Sequence, residues 1–199
     1  MKTIAKLVKD WETKNARNVA KVGGFSMMAL SLAACGGGGS APAPVVVVEV
    51  VPITSALTIW NDTVAGTTAD DVVTGARIDT VQVFNSGDSI ALGDGNDSLS
   101  ATLNAGTVTP VAMTGVENVM FIVLGAATVD FDNVSGVTSI ISRGSSATLL
   151  VDDIQEIPTS ISINNNTAVQ TFVVKDAAIS GTTDSITLNF DGVGGVVNV

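Results

Sequence analysis

Ser185-Ile186-Thr187-Leu188-Asn189-Phe190 alternates polar and apolar side chains along its whole length. Such alternation places the apolar side chains on one face of a β-strand and the polar ones on the other. Similar short runs occur at 80–84, 119–123 and 160–163, and clusters of Gly, Asn, Asp and Ser separate them. No helical period of useful length follows residue 35. The sequence therefore predicts an all-β domain over residues 53–199, built either as a β-solenoid of β-roll type or as a β-sandwich repeat.

A glycine-rich segment interrupts these runs at Leu92-Gly93-Asp94-Gly95-Asn96-Asp97-Ser98-Leu99-Ser100. One interpretation is a tight β-turn, because Asp-Gly and Asn-Asp pairs favour turns. The other is a calcium site, because calcium takes about six to eight oxygen ligands and glycine lets backbone carbonyls approach the ion. On that interpretation Asp94 and Asp97 supply side-chain ligands and Gly93 and Gly95 supply backbone ligands. An incomplete ligand set predicts weak binding, at about 10⁻⁴–10⁻³ M.

The same segment resembles the calcium-binding nonapeptide of the RTX family, Gly-Gly-x-Gly-x-Asp-x-apolar-x, with Leu92 in place of the first glycine. In that family, successive copies stack in a parallel β-roll and calcium lies between them. Residues 66–73 are similar to a degraded copy of the nonapeptide. The resemblance implies a calcium site shared between stacked turns, with further oxygen donors available from Asp62, Asp70, Asp71 and Asp88.

Cys35 is the only cysteine of the chain, and it follows Leu32-Ala33-Ala34 at the end of an apolar run. Basic residues precede that run, which is the arrangement of a secretory signal. The run, 25–34, is too short to span a bilayer, which takes about 20 residues. The four residues resemble the lipobox of bacterial lipoproteins, which implies cleavage before Cys35 and lipidation of its thiol; an ordinary signal peptide is the alternative. The sequence thus predicts a lipoprotein-type signal peptide at 1–34 and a Gly/Pro/Val tether at 35–52.

Composition limits the chemistry of the chain that would follow cleavage. Residues 35–199 hold three basic and seventeen acidic residues, a net charge of −14. Such a surface repels nucleic acid and attracts cations. The chain has no His, which excludes His-based general acid–base catalysis, Ser-His-Asp triads and His-ligated zinc. Paired carboxylates of a glycosidase stay possible, although the chain has no Tyr and few aromatic residues.

Residues 114–119, Thr-Gly-Val-Glu-Asn-Val, lead into an apolar strand, and segments rich in Val, Asp, Gly and Thr follow. This pattern is similar to the repeating units of bacterial S-layer and type I-secreted surface proteins. The resemblance implies a non-enzymatic cell-surface protein of surface-layer or adhesion type, self-associating, calcium-stabilised and held at the outer membrane by lipid or released outside the cell. A stand-alone calcium- or ligand-binding lipoprotein module is the alternative, and a carbohydrate-active enzyme the third.

Two further observations indicate repetition. The segment 131–138 aligns with 190–197, with five of eight positions identical or closely matched, and Gly66-Thr67-Thr68 recurs at 181–183. The final residues are strand-like and carry no polar closing segment. We therefore expect the β-repeat domain to be the start of a longer array.

Overall fold

The computed structural model describes residues 49–179 and 184–199. The predicted signal peptide, Cys35 and most of the predicted tether lie outside the described residues. Pro52–Val199 forms one compact unit. Within it the described residues form sixteen short strands and a single turn of 3-10 helix at Asp176–Ala178. The prediction of an all-β fold is confirmed.

The strands lie in three parallel sheets, so that the chain winds as a β-solenoid of about six turns. The seven-stranded sheet runs through every coil and contains β1 (Thr54–Ala56), β3 (Val72–Gly75), β5 (Ser98–Leu103), β8 (Asn118–Val123), β11 (Ser139–Arg143), β13 (Ser160–Asn164) and β15 (Thr187–Asp191). The four-stranded sheet contains β2 (Thr63–Ala65), β4 (Ser89–Ala91), β7 (Ala112–Thr114) and β10 (Val134–Ser135). The five-stranded sheet contains β6 (Gly106–Val108), β9 (Ala127–Asp130), β12 (Leu149–Ile154), β14 (Gln170–Val174) and β16 (Val197–Asn198). Of the two predicted architectures, the solenoid is the one that forms.

In the seven-stranded sheet, the register places residues of the same type beside one another in successive coils. Leu99 pairs with Val119, Val119 with Ile140, and Ile140 with Ile161. All four side chains point inward and are at most 1% exposed. Burying one such side chain contributes about 1.5–3 kcal/mol relative to leaving it in water. The stacked apolar columns, together with the parallel backbone hydrogen bonds, hold successive coils together.

The register also identifies the true repeat, which is a single coil. Ser98 pairs with Asn118, Asn118 with Ser139, and Ser139 with Ser160, so three successive coils have nearly the same length. The alignment of 131–138 with 190–197 does not correspond to this repeat. Phe131 follows β9 of the five-stranded sheet, whereas Phe190 lies in β15 of the seven-stranded one. Residues 181–183, the second copy of Gly-Thr-Thr, fall outside the described part of the chain.

The run at 80–84 does not form the predicted strand. Val81 makes only an isolated bridge to Ile78, within the long connection between β3 and β4. Val83 and Phe84 are nevertheless completely buried, and the Phe84 ring stacks on Phe121 with centroids 6.4 Å apart. The apolar run fills the interior of the solenoid from a loop instead of from a sheet. The other predicted runs coincide with β8, β13 and β15.

Candidate functional site

The nonapeptide forms a corner of the solenoid. Residues 92–97 connect β4 of the four-stranded sheet to β5 of the seven-stranded sheet. In the coil below, residues 66–71 make the same connection between β2 and β3. Ala65 pairs with Ala91 and Val72 with Ser98, so the registers on both sides of the corner have the same offset. The two corners are therefore equal in length and stacked in register, and the degraded copy seen in the sequence lies directly beneath the nonapeptide.

Glycine is needed in the upper corner because the two backbones approach closely. Gly93 has φ +97° and Gly95 has φ +140°, conformations that other residues rarely adopt. A Cβ atom on Gly93 would lie 2.5 Å from the carbonyl oxygen of Thr67, and one on Gly95 would lie 2.7 Å from the carbonyl oxygen of Ala69. The carbonyl groups of the lower corner thus face the glycines of the upper one.

The structure places the two predicted side-chain ligands in different surroundings. Asp94 is exposed, whereas Asp97 is completely buried. Of the further donors that the sequence suggested, Asp70 and Asp71 lie in the corner immediately below. Asp62 and Asp88 lie at a different corner, just before β2 and β4. The carboxylates near the nonapeptide are thus Asp70, Asp71, Asp94 and Asp97, to which the fold adds Glu117.

Asp71, Asp97 and Glu117 form what we call the acid ladder, in which each carboxylate accepts a hydrogen bond from the backbone of the coil below. The Asp71 N–H donates to Asp97 Oδ1 at 2.6 Å, and the Asp97 N–H donates to Glu117 Oε2 at 2.8 Å. The Ile53 N–H donates to Asp71 Oδ1 at 2.6 Å. Like charges are thereby stacked about one strand spacing apart, roughly 4.8 Å. Glu117 was not predicted from the sequence as a member of this group.

Asp71 and Asp97 occupy equivalent positions but are not equally satisfied. Thr67 donates its N–H to Asp71 Oδ2 at 2.6 Å, and its hydroxyl lies 3.2 Å from both carboxylate oxygens. The residue equivalent to Thr67 in the upper corner is Gly93, which has no hydroxyl. Asp97 Oδ2 is left buried and without a hydrogen-bond partner among the described residues.

The pKa values of the two carboxyls shift in opposite directions. Burial is the largest influence on Asp71 and raises its pKa, but hydrogen bonds from Ile53 and Thr67 outweigh burial and leave the pKa lowered. Burial also raises the pKa of Asp97, and the charges of Asp71, Glu117 and Asp70 raise it further, against the single hydrogen bond from Asp71. The charged form of Asp97 is therefore poorly compensated within this corner.

A second group of acids lies on another face. Asp130, Asp132 and Asp153 have carboxylate oxygens within 4.8 Å of one another and could hold a metal ion. Asp153 joins the group because β12 has a register irregularity between Val151 and Ile154, where Asp153 adopts φ +53°. Lys175 already reaches the group: its Nζ lies 2.5 Å from Asp132 Oδ1 and 3.6 Å from Asp153 Oδ1. An ion bound there would compete with an ammonium group that belongs to the protein.

This second group was not predicted from the sequence. The only available indication was that Asp130 and Asp152 lie one coil apart, where they pair across β9 and β12. That separation is interpretable only once the coil length is known.

Comparisons of the chain with protein-family models, with curated proteins and with solved structures found no match. Among the described residues, none belongs to a helix with the length and apolar character needed to cross a membrane.

Proposed function

We propose that the protein is a non-enzymatic bacterial cell-surface protein of surface-layer or adhesion type, held to the outer membrane by lipid on Cys35. The observation that carries this proposal is the β-solenoid itself, a stack of coils with one parallel sheet running through all of them. Its inward columns are apolar, and the chain after the predicted cleavage carries a net charge of −14. A β-solenoid with this acidic charge suits a structural element outside the cell.

Self-association in a surface array has support from the last coil. Leu188 and Phe190 pair with the buried Ile161 and Ile163, so their side chains continue the core columns. They are 41% and 53% exposed, respectively, although their equivalents in earlier coils are buried. A second copy of the chain that covered these two side chains would remove apolar surface from water.

Lipid attachment is tested by Cys35→Ser, with Ser40→Ala in the adjoining tether as the control. The wild type and the control should fractionate with the outer membrane and be digested by protease added to intact cells. Several acyl chains anchor firmly, at about 0.8 kcal/mol per buried CH₂, so Cys35→Ser should leave the membrane fraction or keep its leader. A Cys35→Ser protein that is processed and fractionates as the wild type does would exclude the lipid anchor.

A non-enzymatic role is tested by activity. The chain has no His and the sequence shows no nucleophile–base spacing, which leaves only carboxylate chemistry. We expect no hydrolysis of polysaccharides or esters by the purified protein. Hydrolysis that a single Asp→Asn substitution abolished would favour the carbohydrate-active alternative.

Calcium is the second part of the proposal. The candidate ligands are the nonapeptide residues Gly93, Asp94, Gly95 and Asp97, predicted from the sequence, and the group Asp130, Asp132 and Asp153, whose carboxylate oxygens lie within 4.8 Å of one another. Binding to the folded state alone stabilises it by about 1.4 kcal/mol at a tenfold excess over Kd. Thermal melts in millimolar calcium and in chelator test this part. Equal melting temperatures would remove calcium and with it the alternative of a calcium-binding module.

A further inference from the structure

We propose that Ile59, Trp60 and Val111, which we call the apolar corner, contact the lipid surface to which Cys35 is attached. This inference rests on the lipid attachment in the proposed function and deepens it. The lipid on Cys35 would hold the chain at the membrane, and the apolar corner would determine which side of the solenoid faces the lipid.

The first observation is the exposure of Trp60. Its side chain is 74% exposed and that of Ile59 is 46% exposed, whereas Phe84, Phe121 and Phe131 are at most 1% exposed. An indole ring combines a large apolar surface with one N–H donor, and Trp is therefore enriched where a membrane meets water. The most exposed aromatic side chain of the solenoid is thus of the type that suits a lipid interface.

The turn around Trp60 is fixed by hydrogen bonds. Thr58 donates its N–H to Asp62 Oδ2 at 2.6 Å and its hydroxyl to Asp62 Oδ1 at 3.0 Å, and the Trp60 N–H donates to Thr58 Oγ1 at 3.2 Å. The Asp62 N–H donates to Asp88 Oδ1 of the coil above at 2.9 Å. Because the turn is already ordered, a contact through Trp60 costs little conformational entropy.

The second observation is that the apolar corner continues into the third coil. The Ser89 N–H donates to the Asp62 carbonyl and the Val111 N–H donates to the Asp88 carbonyl, each at 2.8 Å. Asp62, Asp88 and Val111 therefore occupy equivalent positions of three successive coils. Asp88 is completely buried, whereas Val111 is 60% exposed. The corner thus presents apolar side chains in the first and third coils and no exposed carboxylate in the second.

The third observation is the charge of the adjoining face. In the four-stranded sheet, the residues on either side of the buried Val64, Ile90 and Met113 point outward, and all of them are Ala, Ser or Thr. The chain after the predicted cleavage carries a net charge of −14, so this side differs from the molecule as a whole. An uncharged side can approach lipid headgroups without the repulsion that an acidic side would meet.

The composition of the corner favours lipid over a polysaccharide as its partner. A sugar that stacked on Trp60 would need hydrogen-bonding side chains beside the ring, but Thr58 and Asp62 bond to each other within the turn. The other members of the corner, Ile59 and Val111, are aliphatic. Such side chains gain free energy from an apolar environment and not from hydroxyl groups.

The position of Cys35 in the chain supports the same partner. Cys35 precedes Pro52, the first residue of the compact unit, by seventeen residues. Those residues span at most about 60 Å when fully extended. A lipid on Cys35 would therefore keep the first coils close to the membrane, where a high effective concentration makes even a weak apolar contact populated.

The experiment uses Trp60 as its own reporter. The chain has two tryptophans, and the other, Trp11, lies in the predicted leader. The lipid-bearing protein is purified from membranes and reconstituted into phosphatidylcholine vesicles with either ordinary or brominated acyl chains. Bromine quenches indole fluorescence at close range, and interfacial side chains reach the boundary of the acyl chains, so Trp60 should lose about half of its emission in the brominated vesicles.

Two variants with the same substitution test the corner. Val111→Asp should abolish most of the quenching, whereas Val196→Asp, at a residue of similar exposure in the last coil, should leave it unchanged; Val111 is 60% exposed and Val196 is 58% exposed. Thermal melts control for folding, and both variants should melt within about 2 °C of the wild type. Equal quenching in the wild type and in a folded Val111→Asp protein would overturn the inference.

A relocated tryptophan gives a test that does not depend on Val111. In the double variant Trp60→Phe/Phe190→Trp, the tryptophan lies in the last coil, at a position that is 53% exposed. Its emission should be the same in both kinds of vesicle. Quenching as strong as that of Trp60 would show that the membrane does not select the apolar corner, and the inference would be wrong.

The remaining outcomes separate the inference from the lipid anchor beneath it. If mass spectrometry finds no lipid on Cys35, both the anchor and the inference are wrong. If the protein carries lipid and floats with the vesicles but Trp60 is not quenched, the anchor stands and the inference alone is wrong. Trp60 emission that responds to soluble cell-surface polysaccharide and not to brominated lipid would assign the corner to a sugar and would also overturn the inference.

Discussion

Asn166→Ala should be among the most destabilising single substitutions on the polar side chains of this solenoid. Asn166 is completely buried, and it joins two consecutive coils. Its Oδ1 accepts the Ser145 N–H at 2.8 Å, and its Nδ2 donates to the Ser142 hydroxyl at 2.8 Å and to the Ser142 carbonyl at 3.3 Å. Ser142 in turn donates its hydroxyl to Gln170 Oε1 at 2.7 Å. This cluster interrupts an otherwise mostly apolar column, because Ser142 pairs with Phe121 and Ile163.

The expected cost follows from the groups that Asn166→Ala leaves unpaired. The Ser145 N–H loses its acceptor in a buried position, which costs about 1–3 kcal/mol. The Ser142 hydroxyl and carbonyl each lose a hydrogen bond worth about 1 kcal/mol. We therefore expect a loss of about 3–5 kcal/mol, a large part of the roughly 5–15 kcal/mol that stabilises a domain.

Urea denaturation followed by far-UV circular dichroism measures this loss by linear extrapolation. The matched control is Asn198→Ala, the same substitution at an exposed residue that makes one hydrogen bond, to Thr171 Oγ1 at 3.2 Å. The control should change stability by no more than about 0.5 kcal/mol. If the two variants have the same free energy of unfolding within error, the buried polar cluster does not stabilise the solenoid as argued.

Three further predictions concern the core, the close approach of coils and pH. Phe121→Ala should cost about 3–5 kcal/mol in the same urea assay, whereas Phe190→Ala, in the same column but 53% exposed, should cost less than a third of that. Gly125→Ala would place its Cβ atom on the carbonyl oxygen of Asn104 and should cost about 1–3 kcal/mol or prevent soluble expression. Because the folded pKa of Asp97 is raised, the folded state binds more protons than the unfolded one, and this residue's stabilising contribution is lost as pH rises through its folded pKa. Melting temperatures in EDTA between about pH 4 and pH 8 should therefore decline less for Asp97→Asn than for the wild type; a decline of equal size would indicate that Asp97 is not the group responsible.

The alternation of side chains was sufficient to predict strands but not their arrangement. Period-two patterns in 119–123, 160–163 and 185–190 correspond to β8, β13 and β15. The coil length is obscured because connections of different size are inserted: a short coil separates Thr54 from its partner Val72, and a much longer one separates Ser160 from Thr187. A solenoid tolerates such insertions because each coil contacts only its neighbours. The coils therefore have no constant length in the sequence. The sequence pattern alone does not distinguish a β-solenoid from a β-sandwich.

The run at 80–84 shows why an apolar pattern predicts burial better than it predicts a strand. Its residues satisfy the strand pattern, and Val83 and Phe84 are indeed buried. The backbone of this run, however, does not pair with β6, the edge strand of the five-stranded sheet. The Gln82 side chain accepts the Asn104 N–H instead. β-propensity measures how well a side chain fits a half-buried surface, and a loop that packs into the core satisfies the same requirement.

The corner around Asp97 could be predicted in part. The part that could not be predicted depends on the register between coils, which the sequence does not show. Gly93 and Gly95 identified a turn, and the stacking of residues 66–71 beneath it agrees with the similarity noted in the sequence. Glu117 was not identifiable, because the step along the chain from Asp97 to Glu117 is shorter than the step from Asp71 to Asp97. One sequence signal was nevertheless available. Thr-x-x-x-Asp occurs at 58–62, at one corner, and at 67–71, at another, each time directly before a strand. One coil above the second of these, the equivalent corner at 93–97 reads Gly-x-x-x-Asp. Since Thr67 supplies the donors that the buried Asp71 carboxylate needs, the glycine at position 93 leaves Asp97 Oδ2 without a donor among the described residues.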